Sequence, residues 1–343
     1  VTPDALVRAA TGARFTAAVL RVERRGRVAF ERAYGGLDAD VRARATEVTT
    51  RFDLASLTKL FIATAVLHVV AQGRAALDET LFDVFPQWRD TGHATVSLRA
   101  LLAHTAGFQS GADYRTLLGE DVERFAVNRA LVAAPGERVI YSDLGFITLG
   151  AWLARVTGRS LSSVMADLTA RLGCEATGYR SRNDDPDSIP ATELDAWRGR
   201  VRGAVHDEKA YLMNGVAGHA GLFGTARDVA AVAEPYLAAA CGRPGRAALL
   251  PPALACEAIA EAGSDPVLRR GLGWALKTTQ ENSCGTLMDG ATFGHTGFTG
   301  TALWADPTRD LSVTLLTNAV YFGRGDLRDL RAAVCDAAVR EFA

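Results

Sequence analysis

Phe52-Asp53-Leu54-Ala55-Ser56-Leu57-Thr58-Lys59-Leu60 sets a hydroxyl and an amine three residues apart, immediately ahead of a long apolar run. On a helix, side chains three apart share a face and start roughly 5–6 Å from each other, so the two groups can meet. The run from Leu60 to Val70 is apolar almost all round, the pattern of a buried helix, and it is expected to end near Gly73. If the helix starts around Ser56, the serine sits at the positive end of the macrodipole, where free N–H groups can stabilise an oxyanion. Lys59, drawn into that apolar setting, is expected to lose some preference for its charge and to accept a proton. With twelve serines and only three lysines (Lys59, Lys209 and Lys277), chance supplies about 0.1 matches to Ser-x-x-Lys. On this stretch alone the competing reading, a capping serine followed by a snorkelling lysine, stands level with the catalytic one.

At 343 residues the chain is long enough for one large domain or two intimately joined lobes. Hydrophobic content of 48%, charged content of 22% and a formal net charge of -1 describe an ordinary soluble globular protein and give no basic surface for nucleic acid. No apolar run is long enough for a membrane span, the longest being interrupted by His68. The start, Val1-Thr2-Pro3-Asp4, lacks a charged-then-apolar leader. The cysteines at 174, 241, 256, 284 and 335 are odd in number, widely spaced and never Cys-x-x-Cys. They read as free thiols in a reducing compartment, so a cytoplasmic protein is expected; a secreted one requires that a signal peptide has been removed. His206 and His219 are too far apart for one helix face, and no metal or other cofactor is expected.

A short helix is expected at Pro3–Ala10, then strands at Phe15–Glu23 and Arg27–Tyr34 joined by Arg24-Arg25-Gly26. At the far end Gly300–Ala305 and Leu311–Asn318 flank the turn Asp306–Asp310, and a terminal helix follows from about Asp326 to Phe342. Between these ends the pattern is mainly helical: Val96–Leu102, Leu144–Val156, Leu161–Leu172, and a helix toward Ala240 opened by the capping box Thr225–Asp228. Ser181–Arg202 reads as a loop or lid and Gly242–Pro252 as a surface excursion. The fold class that follows is mixed α/β (α+β): an antiparallel sheet built from both chain ends and flanked by terminal helices, with a mainly helical inserted lobe. The chain is one domain over 1–343, its sheet lobe 1–55 plus 290–343 and its helical lobe 56–289.

Two further motifs stand downstream of Ser56. Tyr141-Ser142-Asp143 places a tyrosine just before a helix, where it can exchange a proton at a cleft edge or merely be half-buried beside a capping Ser142 or Asp143. Gly294-His295-Thr296-Gly297-Phe298-Thr299-Gly300 leads into an end strand with small residues and a titratable ring beside a hydroxyl. In this order the three motifs resemble those of the serine hydrolases of the β-lactamase and penicillin-binding-protein superfamily, especially the class C β-lactamase, esterase and D-aminopeptidase branch. Ser56-Leu57-Thr58-Lys59 matches Ser-x-x-Lys, Tyr141-Ser142-Asp143 matches Tyr-x-Asn, and His295-Thr296-Gly297 matches Lys-Thr-Gly. Leu101–Phe108 resembles the branch's Leu-Leu-x-His-Thr-Ser-Gly-Leu stretch and Gly218–Thr225 its Gly-rich segment, so the resemblance spans nearly the whole chain.

The resemblance implies a β-lactamase/transpeptidase-like fold and the following roles. Ser56 attacks a carbonyl, Lys59 and Tyr141 shuttle its proton and protonate the leaving group, and the backbone N–H groups of Ser56 and Phe298 form the oxyanion hole. Asp143, His295, Thr296 and Gly297 orient substrate or the proton network, and Asn214–Gly224 either lines the cleft or is only the loop before the Thr225 cap. Two positions depart from the family pattern. Asp143 stands for an asparagine that donates to a substrate amide, which an ionised carboxylate cannot do, and His295 stands for a lysine of fixed charge. Both departures argue against an efficient β-lactamase. Lys277-Thr278-Thr279 lacks the glycine and comes too early to be the third motif. The expected function is a serine acyl-enzyme hydrolase or transacylase on a small ester or amide; the rivals are a D-peptidase or weak β-lactamase, and a non-catalytic module that senses an acylating ligand.

Overall fold

The computed structural model describes residues 1–40, 42–180, 184–264, 268–278 and 282–343. Ser181, Arg182 and Asn183 of the polar segment and Thr279 of the Lys277 triplet lie outside the described residues. The helices are α1 (Pro3–Ala10), α2 (Thr58–Ala71), α3 (Leu98–Leu102), α4 (Val122–Asn128), α5 (Asp143–Thr157), α6 (Leu161–Leu172), α7 (Glu208–Leu212), α8 (Ala226–Ala240), α9 (Pro252–Ala258) and α10 (Arg328–Phe342). The strands are β1 (Ala17–Arg24), β2 (Arg27–Gly35), β3 (Phe52–Asp53), β4 (Gly178–Tyr179), β5 (Leu194–Asp195), β6 (Gly199–Arg200), β7 (Leu222–Gly224), β8 (Gly263–Ser264), β9 (Arg269–Arg270), β10 (Ala275–Leu276), β11 (Phe293–Thr296), β12 (Ala302–Asp306) and β13 (Leu311–Thr317).

The chain ends do share one antiparallel sheet, ordered β2-β1-β13-β12-β11-β10-β9-β8, in which β1 pairs with β13 from Ala18↔Thr317 to Arg24↔Leu311. Period-two alternation divides β1 between two cores. Ala17 and Val19 face the large interior that also contains α2, α5 and α8, whereas Ala18, Leu20 and Val22 face a second core under α1 and α10. β12 is divided the same way, with Leu303 and Ala305 on one side and Ala302 and Trp304 on the other. Beyond β11 the sheet continues through three two-residue strands from 263–276, outside the 290–343 stretch expected to supply it. Strands that short leave no alternation to read.

α2 is the helix around which the interior is packed. Leu60, Phe61, Ile62, Val66 and Leu67 are fully removed from water, each worth about 1.5–3 kcal/mol. That is enough to carry Lys59, which the same helix buries completely. Among the described residues no helix is long and apolar enough to cross a membrane. The described part of the polar segment is no free lid. It forms the β5–β6 hairpin, and it is pinned where Asn318 Nδ2 donates to the Ala191 carbonyl at 2.7 Å and Ala191 N–H to that of Leu37 at 2.8 Å.

Candidate active site

Ser56 sits in a three-residue 3-10 turn, Ala55–Leu57, that opens onto α2, one step earlier than a start in the α-helix itself. β3 delivers the chain to this turn, paired with β7 through Phe52↔Gly224 and Asp53↔Phe223. Ala55 adopts φ +47°, a left-handed conformation that costs a non-glycine residue on the order of 1–3 kcal/mol. Asp53 holds it there. Its buried carboxylate accepts the Ala55 N–H at 2.8 Å and the His206 N–H at 2.6 Å, while burial pushes its pKa up to about 6 against those two donors. From the other side, Thr299 Oγ1 donates to the Asp53 carbonyl at 2.9 Å and Thr301 Oγ1 to the Leu54 carbonyl at 3.1 Å. The turn after β11 is thereby fastened to the turn that carries Ser56. Only glycine fits at 297, since a Cβ there would lie 2.0 Å from Thr301 Oγ1 and 2.8 Å from the Leu54 carbonyl oxygen.

Two groups converge on Ser56. Lys59 Nζ lies 3.0 Å from Ser56 Oγ and Tyr141 Oη 2.9 Å from it. Tyr141 is brought there by the N-terminus of α5, where Ser142 caps the helix by accepting the Gly145 N–H at 3.1 Å. Ser142 is therefore the cap, and its neighbour Tyr141 is left free to face the serine. His104, at φ +60° in the Leu101–Phe108 stretch, accepts the Ser142 N–H on Nδ1 at 3.0 Å and places its ring 4.7 Å from that of Tyr141. The charges of Lys59 and Arg270 lie 4.9 and 5.1 Å from the centre of the Tyr141 ring.

Lys59 is not the depleted base that its apolar helix suggests. Burial favours losing the proton, but the carboxylate of Asp143 at 2.9 Å and the hydroxyl of Tyr141 outweigh it and hold the pKa above the ordinary value. Its three donors meet three acceptors: Ser56 Oγ, Asp143 Oδ1, and the His219 carbonyl at 3.0 Å. Asp143 in turn lies 3.3 Å from Lys209, and despite burial its pKa is lowered by Lys59, His219 and Lys209. The Gly-rich stretch 214–224 reaches the site from behind, through the His219 carbonyl and β7. Lys209 and Asp207 carry no signal in the sequence as site residues, and His219 is marked only as a member of the Gly-rich stretch. Oxygens of Asp143 and Asp207 and a ring nitrogen of His219 lie within 4.8 Å of one another, spacing that suits a metal ion, but the ammonium groups of Lys59 and Lys209 already balance both carboxylates.

A cleft of about 620 Å³ opens over these groups, lined by Ser56, Tyr141, His295, Thr296, Gly297 and Phe298. Lys59 and Asp143 lie beneath its floor. His295 is almost fully buried and its Nδ1 donates to the Thr296 carbonyl at 2.7 Å. Burial, with help from Arg270 and Lys59, sets its pKa well below the ordinary imidazole value. The side chain at this position is thus neutral. Fixed positive charge in the cleft wall comes instead from arginines: Arg270 on β9, whose charge acts on His295, and Arg269, Arg324, Arg328 and Arg331.

The model of the Beta-lactamase family matches residues 4–337. The chain belongs to the beta-lactamase family. It is a hydrolase of that family by the whole-length match, and relatives agree. A putative D-alanyl-D-alanine carboxypeptidase of Escherichia coli (strain K12) is 30% identical over 307 residues, covering 78% of this chain and 69% of that protein. An N-acetylmuramyl-L-alanine amidase of Bacillus subtilis (strain 168) is 29% identical over 355 residues, covering 92% and 80%. Among solved structures, EstCE1, a hydrolase with promiscuous acyltransferase activity, superposes with a TM-score of 0.79 over 98% of this chain and 97% of its own, at 22% identity.

Proposed function

We propose that this beta-lactamase family member is a serine acyl-enzyme hydrolase or transacylase of small esters or amides, with Ser56 as nucleophile. The observation that carries the reading is the meeting of Lys59 Nζ and Tyr141 Oη within 3.0 Å of Ser56 Oγ on the floor of an open cleft. Ser56 Oγ forms a bond to the substrate carbonyl carbon. Tyr141 takes the serine proton as it hands its own to the leaving group, so it is neutral before and after. Lys59 stays an ammonium throughout and stabilises the negative charge that develops on the oxygens around it. The backbone N–H groups of Ser56 and Phe298 receive the oxyanion, a role supported by the threonine bonds that fasten their two turns together. Water or a second acceptor then releases the acyl group.

Incubation with a fluorophosphonate or an activated ester, followed by intact mass and a turnover assay, tests this. One fluorophosphonate adduct at Ser56, and turnover of the activated ester by the untreated protein, are expected. An adduct without turnover would mark an acylation-sensing module, and no adduct would overturn the reading. A second reading, a D-peptidase, is favoured by Arg270 beside His295 in the cleft wall, a fixed cation that suits a substrate carboxylate. The E. coli relative carries a name of that kind of activity, whereas the B. subtilis relative is named an amidase. A peptide ending in D-alanyl-D-alanine, compared with its C-terminal amide, separates the two: a marked preference for the free carboxylate supports the peptidase.

A further inference from the structure

The ionic contacts behind Ser56 close into a ring. Lys59 Nζ meets Asp143 Oδ1 at 2.9 Å, Asp143 Oδ2 meets Lys209 Nζ at 3.3 Å, and Lys209 Nζ meets Asp207 Oδ2 at 3.0 Å. Asp207 Oδ1 pairs with His219 Nε2 at 2.8 Å, and the His219 carbonyl returns to Lys59 Nζ at 3.0 Å. Asp207 is fixed in addition as the cap of α7, accepting the Ala210 N–H at 2.8 Å. Lys209 is nearly buried and does not line the cleft. Its ammonium stands between two carboxylates that would otherwise share one site, and two such groups do not both stay ionised without a cation between them. One would take up a proton or turn away, and Asp143 is the one on which Lys59 depends.

We propose that Lys209 is a positioning residue: its ammonium separates Asp143 from Asp207, keeps Asp143 ionised and aimed at Lys59, and so holds the Lys59 ammonium on Ser56. Both oxygens of Asp143 are thereby committed to lysines, which removes this side chain from substrate recognition and leaves it a member of the charge ring. The groups that face Asp143 are Lys59 from α2, Asp207 and Lys209 from the start of α7, His219 from the turn before β7, and His295 from β11, whose ring is kept neutral. The proposal rests on Ser56 being the nucleophile.

Fluorophosphonate labelling of Ser56 and p-nitrophenyl acetate hydrolysis are measured in the wild type, Lys209→Met, Asp143→Asn and the double variant. Lys209→Met is expected to slow labelling and kcat about 10-fold with KM within about 3-fold, and to move the acid limb of kcat/KM to higher pH, since Asp143 loses a cation. The double variant is expected to be at least about 3-fold more active than the product of the single losses, because the two residues act through one contact. Lys209→Arg, which keeps the charge, should recover most of kcat. If Lys209→Met does not fold, Lys209→Gln gives the same comparison. Wild-type kcat and acid limb in the charge-removed variant, or strictly multiplicative losses, would overturn the proposal while labelled wild type leaves Ser56 as nucleophile standing. An unlabelled wild type would overturn both.

Discussion

The ammonium of Lys59 lies 2.9 Å from Asp143 Oδ1 and wholly out of water, at the end of a helix that is otherwise apolar. Removing it leaves a carboxylate with Lys209 alone and Ser56 without a charged neighbour. A fully buried broken pair costs about 3–5 kcal/mol. Asp143 keeps one cation and is a fifth exposed, so about 2 kcal/mol is expected for Lys59→Ala, with kcat down about 10³-fold or more. Urea unfolding and ester turnover on the same preparation check both. A variant as stable as wild type would mean the pair contributes nothing net to folding.

Ser56→Ala removes one oxygen from a partly buried side chain and leaves the Lys59 ammonium one acceptor short, so urea unfolding should show a loss of no more than about 1–3 kcal/mol with the fold intact. Labelling and turnover should both disappear. Turnover near the wild-type level would transfer the nucleophile elsewhere in the cleft.

Much of this arrangement is legible from residues close together in the chain. The Leu161–Leu172 pattern and the Thr225 cap mark α6 and α8 to within a residue, and the apolar run from Leu60 to Val70 marks α2 to within two. Ser56 and Lys59 announce each other through one helical turn. Lys209 does not, because its partner Asp143 is 66 residues away, the helix it stands on is only five residues long, and nothing local distinguishes it from a surface lysine. A signal was present in the scarcity of lysine: of three in the chain, two meet on one carboxylate. The direction in which Lys59 titrates is hidden from the sequence for the same reason. Burial can be read from an apolar run, whereas an opposing charge brought in by the fold cannot.

Penicillins and cephalosporins should be turned over poorly beside p-nitrophenyl acetate or butyrate. Asp143 has no donor to offer a substrate amide and both its oxygens are engaged, while His295 brings no charge. Steady-state kcat/KM for both substrate classes at one pH decides this. Cephalosporin hydrolysis as fast as that of the esters would show that neither lost contact is needed for β-lactam turnover.

Asp53 should make folding less stable as pH rises. Its pKa is raised to about 6, so the folded state holds a proton that the unfolded state has released. The stabilisation is complete below the ordinary carboxylate range and is lost as pH climbs through about 6, by up to about 3 kcal/mol. Asp53→Asn has no such proton. It also presents an amide N–H₂ to one of two backbone donors, which should cost about 1–3 kcal/mol and loosen the Ala55 turn. Urea midpoints at pH 5 and pH 7 are the measurement. The gap between wild type and variant should narrow at the higher pH, and a gap that stays constant would mean Asp53 is ionised throughout.

His295 should be silent in the activity profile and visible in stability. Because the Thr296 carbonyl can only accept, Nδ1 carries the proton of a neutral ring, and burial with Arg270 and Lys59 nearby keeps a second proton off. A histidine whose pKa is depressed by folding contributes stability that is present above the unfolded value of about 6.5 and lost as pH falls, since the unfolded chain takes up a proton that the folded one refuses. Over pH 5–9, kcat/KM of the wild type and of His295→Gln for an activated ester should therefore superimpose in shape. The unfolding midpoint of the wild type should fall more steeply between pH 7 and pH 5 than that of the variant. A limb near pH 6.5 present only in the wild-type activity profile would place a titrating imidazole in the reaction and return to His295 the acid–base role that its burial denies it.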